Sequence, residues 1–383
     1  MVLQLAIMQL GFDLRPFLRE ETGVGTYLKN LLFHLAQIDK TNHYCLFSSS
    51  WKHRFPAEKI PPFPNKTFKD WRIPIKVLNH FWQKWQRPPL DLFFRKTLDL
   101  VHSATPLILP TKGKKIITVH DLFFMDFPDW AGDEAGQVFR PLAPESFRRS
   151  DGIITFSSFT KSELVARFDV PEAKVKVIPH GLDWRFLEDV PPLELKATRK
   201  RCNLPPSFLL FVGVQEARKN LVRLAEALKI LHLQGLKIPL LLVGPTGPDT
   251  EILRAKAAML DLGHWIMMTG YLPDREVRHI YRLASAFVFP SLCEGFGLPL
   301  VEAMASGVPV VASFSSAIPE VCQSAAVYFR PEDPEDMAEK LTSVLEHSEL
   351  RQELAAKGKQ RALDFSWERA AEETLAFYAA VVS

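Results

Sequence analysis

A chain of 383 residues is too long for one small core and fits two domains of ordinary size. With 47% hydrophobic residues it can cover both faces of its sheets, and a formal charge of +3 is too near balance to imply a nucleic-acid partner. Four cysteines (Cys45, Cys202, Cys293, Cys322) with no Cys-x-x-Cys pair suit a reducing compartment and argue against zinc.

The apolar start, Met-Val-Leu-Gln-Leu-Ala-Ile-Met-Gln-Leu, lacks a basic leader and a small-residue cleavage site, so it reads as a strand over 5–10 and not as a signal peptide. No window approaches ~18 uninterrupted apolar residues, so no spanning helix is expected. A charged loop over 11–22 follows. Gly23-Val-Gly-Thr-Tyr27 then opens a helix with apolar Leu28, Leu31, Leu32 and Leu35. Gly23 and Gly25 at this crossing either cradle phosphate or permit close packing. Residues 44–48 form a second strand.

Residues 51–97 mix aromatic and basic side chains. Trp51, Phe55, Phe63, Phe68, Trp71, Phe81, Trp82, Trp85, Phe93 and Phe94 alternate with Lys69, Arg72, Lys76, Lys84, Arg87, Arg95 and Lys96. That composition suits a membrane interface. It equally suits a loop-and-helix excursion whose aromatics pack inward, and its prolines break any long amphipathic helix. Strands over 98–102 and 115–119 come next, the second ending in His120-Asp121. A titratable pair at the C-terminal end of a parallel strand sits where open α/β sheets place ligands, although an isolated histidine is ordinarily a satisfied core residue. A helical region over 129–150 is interrupted at Pro141 and Pro144. A strand at 152–156, a helix at 158–168 and a strand at 174–178 lead into Pro179-His-Gly-Leu-Asp183.

Residues 188–201 read as a linker or bridging helix. A strand over 207–213 restarts the pattern, then Val214-Gln-Glu-Ala-Arg218-Lys219-Asn220 precedes a helix over 221–233. Cations at a helix start are disfavoured by the macrodipole, so Arg218 and Lys219 are either solvated or held for an anion. Strands at 238–244 and 265–269 follow; after Gly270-Tyr271-Leu272-Pro273, Asp274 is placed to N-cap a helix.

The chain is organised around 285–312. A buried strand at 285–289 leads into Pro290-Ser-Leu-Cys-Glu294-Gly295-Phe296-Gly297-Leu298-Pro299, a helix over 300–306 with Gly307 as its stop, and a strand from 309. Gly295 and Gly297 admit close approach of a ligand, and the N–H groups of Gly297 and Leu298 make a helix-N-terminal anion site. Carboxylates at Glu294 and Glu302 beside an anion site make sense for a ligand that also carries hydroxyls, since carboxylates accept from vicinal diols. A nucleotide sugar has both parts.

Two Glu separated by seven residues, in Glu-Gly-Phe-Gly-Leu-Pro ahead of Glu-Ala-Met-Ala-x-Gly-x-Pro-Val-Val, resemble the signature of the retaining family 4 glycosyltransferases of the GT-B fold. The resemblance spans nearly the whole chain, strongest from residue 151 onward and weakest over 51–97. It implies an α/β protein of two Rossmann-like domains facing across a cleft. These would be an acceptor-side domain at 1–188, a nucleotide-sugar domain at 189–365, and a terminal helix at 366–383 crossing back to the first domain. It further implies transfer of a hexose from a nucleotide diphosphate sugar to a saccharide or lipid-linked acceptor with retention of configuration. The expected donor is GDP-mannose, with UDP-glucose or another UDP-hexose next.

By resemblance, His120 contacts the transferred sugar with Asp121 fixing its tautomer, and Lys219, with Arg218 as a second cation, holds the pyrophosphate. Glu294 lies by the sugar, Glu302 grips the ribose, and Tyr271 and Leu272 touch the base. Gly23, Gly25, Gly213, Gly295, Phe296, Gly297 and Leu298 line the donor. Val214 stands where many members carry an arginine, and Ala217 where a proline is common. No metal is expected, because no Asp-x-Asp is present to hold an ion on the pyrophosphate. A cytoplasmic enzyme, peripheral on the inner membrane face if 51–97 makes contact, is the expected setting. A nucleotide-sugar epimerase or hydrolase of the same architecture and a non-catalytic nucleotide-sugar-binding subunit are the competing classes.

Overall fold

The computed structural model describes residues 7–19, 23–127, 130 and 134–383. Residues 5–6 of the expected first strand, 20–22 of the loop after it, and 129 and 131–133 of the expected helical region lie outside them. The chain divides into two units, 1–181 with 366–383, and 182–365. The division falls after Gly181 rather than after residue 188, and 366–383 belongs to the first unit.

The first unit holds a seven-stranded parallel sheet in the order β3-β2-β1-β4-β5-β6-β7. Its strands are β1 Gln9–Asp13, β2 His43–Ser49, β3 Lys66–Trp71, β4 Leu100–Ser103, β5 Lys114–Val119, β6 Gly152–Thr155 and β7 Val175–Val177. Leu10 is in register with Tyr44 on one side and Leu100 on the other. The inner strands read as apolar runs because a parallel sheet is covered on both faces. Helix Gly23–Ile38 buries Tyr27, Leu28, Leu31, Leu32 and Leu35, and the terminal helix Trp367–Val382 packs beside it. Ser366 caps that terminal helix by accepting from the Arg369 N–H. A Cβ on Gly181 would fall 2.2 Å from the Trp367 backbone nitrogen, so only glycine lets the chain pass there. Tyr378 Oη and His102 Nδ1 meet at 2.5 Å, and His102 Nε2 reaches Thr118 Oγ1 at 2.7 Å, fastening the terminal helix to the sheet.

The second unit is a six-stranded parallel sheet in the order β10-β9-β8-β11-β12-β13. Its strands are β8 Leu209–Val212, β9 Leu240–Val243, β10 Ile266–Gly270, β11 Ala286–Phe289, β12 Val310–Ser313 and β13 Ala326–Phe329. In each sheet the strand order reverses once, between β1 and β4 and between β8 and β11. Loops leave such a switch point in opposite directions and open a crevice at the carboxyl ends of the strands.

Several elements differ from expectation. β1 runs on to Asp13 because Phe12 is buried and paired on both sides. β3 is an edge strand within a stretch expected to be loop and helix. It carries Lys66 and Lys69 and needs no apolar run, which hides it in the sequence. Helix Thr250–Met259 was not expected. Residues 188–201 supply helix Pro192–Arg201. Helix Arg140–Arg149 is not interrupted: Pro141 sits in its first turn and Pro144 gives up a single bond. Asp274 does not cap its helix but is its first residue, after Pro273.

The aromatic segment splits. Phe55, Phe63, Trp82, Phe93 and Phe94 are buried, whereas Trp51, Trp71, Phe81 and Trp85 are exposed. Among the described residues no helix is long and apolar enough to cross a membrane.

Candidate functional site

The crevice of the second sheet is built from the loops after β8 and β11. After β8 the chain turns at Gly213 and runs through a short helical turn, Ala217–Lys219, to Asn220, which heads helix Leu221–Leu233 with φ +57°. Asparagine tolerates that left-handed conformation better than most residues. Its Nδ2 donates to the carbonyls of Pro290 (3.1 Å) and Pro331 (2.7 Å), and the Leu292 N–H donates to the Arg218 carbonyl at 2.8 Å. These bonds lace the two loops together. After β11 the loop ends at Gly297, whose φ of +96° starts helix Leu298–Ala305; an added Cβ there would lie 2.8 Å from Leu300. Pro299 occupies the first turn, where its missing N–H is no loss.

Four charged side chains converge in this crevice. Lys219 Nζ lies 2.5 Å from Glu294 Oε1, Arg218 donates to Glu294 Oε2 at 2.9 Å, and Arg218 Nε is 2.6 Å from Glu216 Oε1. Lys219 and Glu294 are each only 7% exposed. The Glu294 backbone N–H donates to Ser316 Oγ at 2.8 Å, fixing the carboxylate's root. Burial works to raise the Glu294 pKa, but Arg218 and Lys219 outweigh it and hold the carboxyl well below its usual range. Burial and the neighbouring Arg218 lower the Lys219 ammonium, against the pull of Glu294. Burying ion pairs seldom stabilises a fold relative to apolar packing. Two cations at a helix start therefore make most sense as an anion subsite, held in register by Glu294 and Glu216.

Glu302, one turn into the following helix, is half-buried and accepts from the Tyr281 hydroxyl at 2.9 Å. Burial pushes its carboxyl up to about 7; Tyr281 opposes the shift, while Asp274 and Asp183 add to it. Glu302 is thus an acceptor poised between charge states beside a helix N-terminus.

The other expected residues divide between the units. In the second, Gly213 lies against the Lys219 stem, and Gly295 and Leu298 belong to the same loop and helix start. The Phe296 ring turns inward against Phe365 (centroids 5.4 Å), leaving only its backbone to face a ligand. Tyr271 is exposed and Leu272 half-buried, just beyond β10. In the first unit, Gly23 opens its helix into free space and Gly25 is buried. Two residues on, the Tyr27 ring stands edge-on to both His120 and His180 at 5.4 Å.

His120 Nε2 lies 3.0 Å from the Ala104 carbonyl, and burial brings its pKa down to about 4. The neutral ring has a single N–H, which the Ala104 carbonyl takes. The expectation that Asp121 fixes the tautomer is therefore replaced by a backbone contact. Tyr281, Asn220, Ser316 and Glu216 are site residues that sequence reasoning missed. Only Asn220, next to the basic pair at a helix start, carried a local signal. Among the described residues no group of three or more His, Cys, Asp or Glu side chains could hold a metal ion.

Residues 22–185 match the family model described as Glycosyltransferase Family 4, and residues 196–361 match Glycosyl transferases group 1. The chain is 26% identical over 388 residues to the O-antigen chain mannosyltransferase B of Escherichia coli, covering 97% of this chain and 99% of that one. Among solved structures it resembles a sucrose-phosphate synthase from Thermosynechococcus elongatus, with TM-score 0.73, 22% identity, and coverage of 96% and 98%. It also resembles Anabaena HepE in complex with UDP and glucose, with TM-score 0.72, 16% identity, and coverage of 97% and 100%.

Proposed function

For a chain that belongs to the family 4 glycosyltransferases of the GT-B fold, we propose that the crevice of the second unit binds a nucleoside diphosphate hexose, from which the hexose passes to an acceptor hydroxyl with retention of configuration. The observation that carries this reading is the buried Lys219–Glu294–Arg218 cluster at the switch point beside the Leu298 helix start. The pyrophosphate takes Lys219, Arg218 and the N–H groups of Gly297 and Leu298. These donors are preorganised for the charge that grows on the leaving group as the glycosidic bond breaks. Glu302 accepts from the ribose diol, with Tyr281 orienting it, and Glu294 serves the hexose. The acceptor belongs to the first unit, where His120 contributes a neutral ring.

Mannose from GDP-mannose is the proposed donor, supported by the mannosyltransferase relative. A UDP-hexose is the second reading, favoured by the similarity to a UDP and glucose complex. The acceptor is a saccharide or lipid-linked saccharide, and the reaction needs no metal. The exposed Trp71, Phe81 and Trp85, with Lys76 and Lys84 among them, support a peripheral contact with anionic membrane.

The test is incubation with GDP-mannose or UDP-glucose, with and without a saccharide acceptor, followed by mass spectrometry. The reading expects a hexose-extended product only when acceptor is present. Rapid turnover of donor alone would assign the epimerase class, and donor binding without any turnover the non-catalytic one.

A further inference from the structure

The ion-paired cluster of the second unit differs from an open anion site in one respect: its charges already cancel. Lys219 and Arg218 are matched by Glu294 and Glu216, two cations against two carboxylates. Every residue of that unit is described. Glu294 holds both cations at once, Lys219 through Oε1 at 2.5 Å and Arg218 through Oε2 at 2.9 Å. The Lys219 ammonium also lies over the Phe289 ring, 5.1 Å from its centroid, and the residue is buried. A diphosphate that pairs with Lys219 at contact distance therefore needs the place that the Glu294 carboxylate holds. With both carboxylates in position it would meet no net positive charge, and anions crowded on one ammonium in a water-poor crevice repel strongly.

We propose that the Glu294 carboxylate and the ligand's diphosphate compete for Lys219 and Arg218, so that binding expels the carboxylate and turns it toward the hexose hydroxyls; the identity of the ligand rests on the transferase reading above. Only the side chain needs to move. The Glu294 N–H donates to Ser316 Oγ at 2.8 Å, and its carbonyl accepts from the Ala317 N–H at 3.3 Å. Just upstream, Ser315 Oγ donates to the Leu292 carbonyl at 2.5 Å and Ser313 Oγ to the Ser291 carbonyl at 2.6 Å. The loop's backbone is thus pinned by its neighbour, and the rotations left to Glu294 are those of its side chain. Glu216 pairs with Arg218 and is the more exposed carboxylate, so it can stay.

The exchange suits a ligand with two kinds of group. A diphosphate replaces the carboxylate on the cations, and vicinal hydroxyls replace the cations on the carboxylate. Inorganic phosphate or pyrophosphate supplies only the first half. Entry of the diphosphate and release of the acceptor that serves the hexose then become one event.

Calorimetric titration of inorganic pyrophosphate and of GDP into the full chain tests this without a sugar donor. Glu294→Gln keeps the shape and removes the competitor, so both ligands should bind at least about tenfold tighter than to the wild type. Glu294→Asp keeps the charge but shortens its reach and should gain a smaller factor; it carries the test if Glu294→Gln does not fold. Glu216→Gln, at a partly exposed pair, should gain less than about threefold. The thermal midpoint of Glu294→Gln should fall below that of the wild type and rise further with saturating pyrophosphate, because two buried cations regain an anion. If Glu294 merely holds the cations in register, both Glu294 variants bind more weakly; that result, or unchanged affinity, would overturn the proposal. So would an equal gain in Glu216→Gln, which marks a general effect of charge. Binding by none of the proteins would remove the diphosphate subsite and the competition together. If the Glu294 variants gain affinity while the wild type transfers no hexose from any donor, the transferase reading falls and the competition stands.

Discussion

The two units solve the same topological problem with opposite electrostatics. Each sheet reverses its strand order once and opens a crevice at that point. In the second unit the crevice concentrates charge: Lys219, Glu294, Arg218 and Glu216 form one chain of ion pairs, and Glu302 is held near its point of ionisation. In the first, Arg15 pairs with Asp13 and Glu145 with Arg148, and nearby His120 is kept neutral by burial. One fold thus supplies a crevice dense in ionised groups and a crevice whose histidine is kept neutral. The difference lies in the loops after the strands, not in the sheets.

The largest effect that would break this contrast is on turnover. Lys219→Ala should lower kcat by roughly ten- to a thousandfold, extrapolating from the loss of single transition-state donors. Arg218→Ala should cost less, since Arg218 is also tied to Glu216. Steady-state kinetics of both singles and the double variant decide it. A crippled Arg218→Ala beside a near-normal Lys219→Ala would exchange their roles.

Next in size, the two glutamates should fail differently. Glu294→Gln should lower kcat, because its contacts change as the hexose leaves. Glu302→Ala should mainly raise the donor KM, because the ribose is remote from the reacting carbon. The opposite pattern would swap their assignments.

This charged crevice was the more legible one in the sequence. Glu294, Gly297, Pro299 and Glu302 fall within one continuous stretch in which each residue has a local reason, and the Arg218-Lys219 pair stands out at a helix start that disfavours cations. The partners were hidden. Tyr281 reaches Glu302 from a preceding helix and Ser316 reaches Glu294 from a following loop, and neither position carries a local pattern. The first crevice was nearly invisible for the same reason at larger scale: its walls come from β1, β4 and two helices far apart in the chain. Strand β3 has no local signal because an edge strand need not be apolar, and the 51–97 segment supports two readings because its aromatics divide between core and surface.

A pH effect sharpens the comparison further. The ribose hydroxyls donate to Glu302, so the ionised carboxylate is the binding form. GDP affinity should rise several-fold from pH 6 to 8 as Glu302 passes through about 7, within a ceiling of about tenfold per pH unit for one proton. For stability the sign is reversed. A carboxyl raised on folding contributes fully below its unfolded value of about 4.3 and loses that contribution as pH rises through the folded value. Glu302→Gln should flatten both the calorimetric affinity profile and the thermal-midpoint profile over this window.

Smaller still is membrane contact. The exposed aromatic and basic face around helix Ile75–Trp85 should float with vesicles rich in anionic lipid at low salt and release as salt approaches physiological strength. No flotation at low salt would leave those side chains as ordinary surface. The smallest expected change is none at all: chelator should leave transfer intact, and full loss restored by manganese would contradict the metal-free reading.

The central claim is that the charged crevice of the second unit holds the nucleoside diphosphate through Lys219 and Glu302. Calorimetric titration of GDP, with UDP in parallel, into the wild type, Lys219→Ala and Glu302→Ala tests it directly. The account predicts saturable binding of GDP in preference to UDP by the wild type, weakened at least tenfold in each variant with folding intact. Equal binding by all three proteins, or binding of neither nucleotide by the wild type, would contradict it.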